Sequence, residues 1–137
     1  MTRRKLRENI FKILFKLEFN SVDEMNEQID FSLDDIEELS EEDRKYITDK
    51  TEKIIGLIGE IDDVIKEHSS GWSIERIGKA EIAILRLGIY EIKYDDDIPF
   101  SVAVNEAVEL SKIYCSEEAK SFINGILGKL EAQDIKD

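Results

Sequence analysis

The sequence predicts an all-α protein. Three observations carry this expectation. Only one proline (Pro99) and seven glycines punctuate 137 residues. No segment alternates apolar and polar residues between turn signals, as a half-buried strand would. Apolar residues instead recur three and four apart along most of the chain. The length suits one domain rather than two. It is read here as a single compact helical domain over residues 1–137, with an N-terminal half of about 1–68 and a C-terminal half of about 73–137.

Seven helices follow in order. The first runs from about Thr2 to Phe19. A short second lies near Asp23 to Leu33, where Met25, Ile29 and Leu33 fall four apart. The third opens at Ser40, whose hydroxyl can accept from an orphan N–H, with Glu41, Glu42 and Asp43 complementing the positive end of the helix. It weakens at Gly56 and Gly59, and a fourth continues to about His68. Ser69, Ser70, Gly71, Trp72 and Ser73 break the chain, with Trp72 read as a plug between helical bundles. The fifth, Lys79 to Tyr94, is apolar nearly all round and must be enclosed on most sides, which makes it the central helix. Asp95, Asp96 and Asp97 end it. Pro99 stands where a helix start tolerates a missing N–H, and the sixth helix runs to about Tyr114. Ser116 caps the seventh, with Phe122, Ile126, Leu127 and Leu130 on its apolar side.

Composition excludes several classes of function. Lys plus Arg is 19 and Asp plus Glu is 32, a net charge of −13. So acidic a chain is no general coat for DNA, which needs a field of cations, although a local basic patch remains open. The lone Cys115 rules out an internal disulfide, and the lone His68 rules out most histidine-based metal sites; no cofactor or metal is expected. No phosphate-binding loop, nucleophile elbow or CxxC is present, and a di-iron bundle would need two Glu-x-x-His pairs, so an enzyme is not expected. The basic start lacks the apolar stretch of a signal peptide, and no run approaches the roughly 20 apolar residues of a membrane span. The expectation is a cytoplasmic protein with no membrane partner.

Charge position is more telling than its sum. Residues 1–20 hold Arg3, Arg4, Lys5, Arg7, Lys12 and Lys16 against Glu8 and Glu18, a local +4, which leaves −17 for the other 117 residues. On a helical wheel Leu6, Ile10, Ile13, Leu14 and Leu17 form a core-facing stripe. Phe11, Phe15 and Phe19 form a second stripe, which contains Arg4 and is bordered by Lys12 and Lys16. Cations interleaved with rings suit single-stranded RNA: the cations hold phosphates and the rings stack on splayed bases. A helix apolar on two sides can equally be sandwiched between neighbours, with its basic terminus merely solvated. Exposure of Phe15 separates the two readings.

Four segments resemble the NusB family of bacterial transcription antitermination factors, in the right order and over essentially the whole chain. They are Arg3-Arg4-Lys5-Leu6-Arg7-Glu8, the run from Glu81 to Glu91, the run from Ile98 to Lys112, and Phe122-Ile123-Asn124-Gly125-Ile126-Leu127. The resemblance implies a seven-helix fold of two packed helical bundles. It implies binding of the box A element of ribosomal RNA transcripts, jointly with the tenth small-subunit ribosomal protein (NusE). The pair would travel with the RNA polymerase elongation complex and other Nus factors and promote read-through of terminators. A homodimer is left open. Residue by residue, it assigns RNA contacts to Arg3, Arg4, Lys5 and Arg7 (phosphates), Phe15 and Phe122 (stacking), and Glu81 (a carboxylate accepting from a base amino group). The alternative is an acidic helical interaction module that attracts a basic protein and makes no direct RNA contact.

Other residues of these segments have structural readings. Arg86 is expected as a buried arginine paired with Glu106 or Glu91. Asn105 and Asn124 are expected to hydrogen-bond between helices. Gly125 and Gly128 are expected to permit close helix approach, and Cys115 to be an inert filler.

Overall fold

Residues 1–69 and 76–130 are described by the computed structural model; Trp72 lies outside them. Among the described residues the chain forms seven α-helices and no strand: α1 (Arg3–Phe15), α2 (Met25–Asp34), α3 (Glu41–Gly56), α4 (Ile58–His68), α5 (Lys79–Tyr94), α6 (Phe100–Tyr114) and α7 (Glu117–Gly128). The chain divides into two compact units, Met1–Gly56 and Leu57–Asp137.

In the first unit α1 packs on α2 and α3. Its buried face is Ile10, Phe11, Ile13 and Leu14; α2 adds Met25, Ile29 and Leu33, and α3 adds Ile47, Ile54 and Ile55. Each such side chain, fully buried, contributes roughly 1.5–3 kcal/mol relative to exposure. The first helix ends earlier than its periodicity implies. It tightens at Lys16–Glu18 into a 3-10 turn, where the Asn20 side-chain amide donates to the Lys16 carbonyl at 2.8 Å and satisfies an end that would otherwise lack a partner. The second helix has an unforeseen prelude. Ser21 and Glu24 form a reciprocal capping box, with the Ser21 N–H donating to Glu24 Oε1 at 2.7 Å, and this opens a 3-10 turn before α2. That bond, made chiefly by the Ser21 backbone, holds the Glu24 carboxyl below its usual range. The start of α3 is as expected: Ser40 Oγ accepts from the Asp43 N–H at 3.0 Å.

In the second unit α5 packs against α4, α6 and α7. Every residue from Ile82 to Ile92 is buried, as an all-round apolar helix requires. The turn after α5 is built by Asp95, whose carboxylate accepts from the Asp97 N–H at 3.0 Å and whose carbonyl accepts from Ile98 at 3.2 Å. Ser116 occupies the N-cap position of α7 in extended backbone, but it contributes its carbonyl, to Ala119 at 3.1 Å, rather than its hydroxyl. Among the described residues no helix is long and apolar enough to cross a membrane.

Two expectations are corrected here, and one is extended. Arg86 is buried, as expected, and it makes a two-pronged grip on Asp62 of α4, a carboxylate the sequence did not nominate: Nε and Nη2 donate to its two oxygens, each at 2.9 Å. The periodicity of α5 could not reveal a partner 24 residues upstream on another helix. Asn105 and Asn124 are exposed, with no hydrogen-bond partner among the described residues. They lie with Val104, Val108, Lys120 and Ser121 along an open groove between α6 and α7. Gly125 and Gly128 face open space, since a Cβ at either would meet no described atom within 4 Å. The close approach is at Gly88 instead, where a Cβ would stand 3.0 Å from Leu127 Cδ1 and 3.7 Å from Ala107 Cβ. Its missing side chain lets α5 lie against both α6 and α7.

Candidate nucleic-acid and protein interface

The first patch is α1. Thr2 caps it, its hydroxyl accepting from the Lys5 N–H at 3.1 Å. The next three residues, Arg3, Arg4 and Lys5, are all exposed, and the first turn carries no acid. This opposes the helix dipole, whose positive end favours anions. Two other helices follow the rule closely: Glu41, Glu42 and Asp43 open α3, and Glu117 and Glu118 open α7, while α6 opens with neither acid nor base. Three cations at the wrong end of a helix, in a protein of net charge −13, form a site that an incoming anion would stabilise. Lys5 also reaches Glu8 at 3.0 Å. Arg7 is only 7% exposed and belongs to the packed side of the helix.

The rings form a ladder. Phe11 is buried, Phe15 half-buried and Phe19 63% exposed. Phe15 lies 6.4 Å from Phe11 and 5.4 Å from Phe19, centroid to centroid, the latter edge-on. The structure therefore places Phe15 between the two extremes that the sequence posed. The accessible end of the stripe is Phe19, carried outward by the 3-10 turn. Lys16 is drawn inward, its ammonium 2.6 Å from Ser32 Oγ on α2.

The second patch belongs to the other unit and brings Glu81 and Phe122 together. The N-terminal ends of α5 and α7 border a cleft of about 250 Å³ lined by Arg76, Ile77, Glu81, Ser116, Glu118, Ala119 and Phe122. Glu81 and Glu118 are acceptors for amino or guanidinium groups, and the half-buried Phe122 offers a ring. Phe122 also borders a smaller cleft with His68, Ser69, Ser121, Gly125, Ile126 and Lys129. There Lys129 Nζ donates to the His68 carbonyl at 3.3 Å, and His68 Nδ1 lies 3.0 Å from the Val64 carbonyl. Arg76 was missed because it follows the break in the helical pattern, where spacing assigns no face. Cys115 is half-buried, and burial first, then the charge of Glu81, pushes its thiol up to about 11, so it stays protonated and unreactive at neutral pH.

Among the described residues no group of histidine, cysteine or carboxylate side chains could hold a metal ion. The helical fold with these two patches defines a class, the all-helical binding proteins. Within that class the chain belongs to the NusB family, whose model matches residues 4–132. The chain is similar to the transcription antitermination protein NusB of Agathobacter rectalis, with 46% identity over 129 residues, 94% of this chain and 98% of that one. Its fold is similar to that of T. maritima NusB, with a TM-score of 0.89 and 29% identity, covering 97% of this chain and 92% of that one. It is also similar to a chain in the crystal structure of the antitermination factors NusB and NusE in complex with double-stranded RNA. There the TM-score is 0.71 and the identity 25%, covering 97% of this chain and 99% of that one. The family is one of non-enzymatic transcription antitermination factors.

Proposed function

We propose that this cytoplasmic protein binds the box A element of ribosomal RNA transcripts together with NusE. The pair acts on the RNA polymerase elongation complex, with other Nus factors, to promote read-through of terminators. The observation that carries the RNA half of this reading is the first turn of α1, where Arg3, Arg4 and Lys5 stand exposed at the positive end of a helix. An arrangement that weakens its own helix makes sense when a phosphate backbone completes it. Phe15 and the exposed Phe19 extend this surface with rings, and Arg7 supports it from the packed side. In the second unit Phe122 stacks, and Glu81 accepts from an amino group.

The strongly negative remainder repels phosphates and attracts a basic ribosomal protein, so NusE supplies cations that the chain lacks. The interaction-module alternative, with no RNA contact, does not account for three exposed cations in the first turn of α1, where the helix dipole disfavours them. Isothermal titration of box A RNA into the protein, with and without NusE, tests the reading. Weak binding alone and tighter binding with NusE is expected. Equal affinities would refute the cooperative picture, and no binding in either arm would refute RNA recognition.

A further inference from the structure

We infer that Gly78 is the positioning residue for Glu81: its missing Cβ leaves the space in which the Glu81 carboxylate folds back beside the start of α5, and so decides where the cleft with Phe122 is acidic. Gly78 is the N-cap of α5, its carbonyl accepting from the Ile82 N–H at 2.9 Å. Its backbone, at φ −60° and ψ 148°, lies in the polyproline region open to any residue, so the glycine is not there for conformational freedom. Nor does it supply a capping side chain.

The distances give the reason. A Cβ at position 78 would stand 2.9 Å from Glu81 Oε1 and 3.2 Å from its Cδ. Both are inside the roughly 3.5–4.0 Å of an optimal carbon contact. The obstructing atoms are the far end of a flexible side chain, so the fold survives an alanine while the carboxylate must swing away. Glu81 sits at the third position of α5, where the dipole and the free amides favour an acid turned back toward the helix start. Hydrogen at position 78 permits that geometry and alanine forbids it.

Cys115 reports on this directly, because it is the only cysteine in the chain and the charge of Glu81 bears on its thiol. The test measures the alkylation rate of Cys115 by iodoacetamide against pH in the full chain, for wild type, Gly78→Ala, Glu81→Gln and the double variant. Glu81→Gln removes a negative charge and lowers the thiol midpoint. Gly78→Ala is expected to change the rate at a fixed pH below the midpoint by about twofold or more, a shift of about 0.3 unit. The same change made on Glu81→Gln is expected to have no effect. An unchanged rate, or an equal change in both backgrounds, would overturn the positioning role, since a merely structural effect of the new methyl group does not depend on the charge at position 81.

The consequence for binding rests on the function proposed above and is read separately, by titrating box A RNA and NusE against Gly78→Ala. A thiol response through Glu81 with unchanged binding upholds the positioning of the carboxylate and removes Glu81 from the interface. A thiol response with weakened binding supports both.

Discussion

Asp62→Ala tests whether the grip on Arg86 holds the second unit together. Arg86 and Asp62 form a two-pronged pair with both bonds at 2.9 Å, and their side chains are 10% and 21% exposed. Removing one member of a buried pair typically destabilises by about 3–5 kcal/mol, because the survivor is left charged and poorly solvated. Asp62 is one-fifth open to water and Arg86 has further interactions, so a loss of about 2–3 kcal/mol is expected here. For a chain of this size that lowers Tm by roughly 6–12 °C. Asp62→Leu combined with Arg86→Met replaces the pair by apolar volume and is expected to recover stability to within about 1 kcal/mol of wild type. Urea and thermal unfolding followed by circular dichroism measure the wild type and both variants. A loss below about 0.5 kcal/mol for Asp62→Ala would mean that water already screens the pair, as at a surface. A double variant as unstable as the single one would show that Arg86 matters for something other than its charge.

Arg3→Ala with Arg4→Ala is expected to weaken RNA binding. It should also reduce the slope of log affinity against log salt from about −2, for three phosphate contacts, to about −0.7. The same variant is expected to unfold at equal or slightly higher temperature, because each cation removed from the positive end of α1 relieves about 0.3–1 kcal/mol; an unchanged salt slope would remove this helix start from the RNA site. Phe122→Leu keeps apolar packing but loses the stacking face, and a loss of about 1–3 kcal/mol in RNA affinity is expected by titration; unchanged affinity would exclude base stacking there. Tyr94 donates to Glu60 Oε2 at 3.0 Å, and burial, followed by this bond, raises its pKa above 10.0. A raised folded value means that its contribution to stability is complete below 10.0 and is lost as pH climbs through the folded value. Urea unfolding on both sides of that pH is therefore expected to show a smaller alkaline loss in Tyr94→Phe than in wild type.

Much of the architecture was legible because it depends on neighbours in sequence. The apolar run of α5, the acids after Ser40 and the aspartates after Tyr94 each act within one helical turn, so their spacing announces a core helix, a start and a stop. The concentration of cations at residues 3–7 was equally plain, since charge can be counted without coordinates. What tertiary structure alone decided concerns which face meets which neighbour. The same helical spacing that places Arg3 to Lys5 in solvent turns Arg7 inward, and a wheel without partners does not say where packing begins. Phe15 could have lain on either side of that boundary and lies on it, while a tightened turn sends Phe19 outward. Arg86 found Asp62 on another helix. Close approach fell to Gly88 rather than Gly125, because α6 and α7 crowd α5 while the glycines of α7 look outward. Periodicity records how a segment repeats; contact between distant segments is settled only when their side chains compete for the same volume.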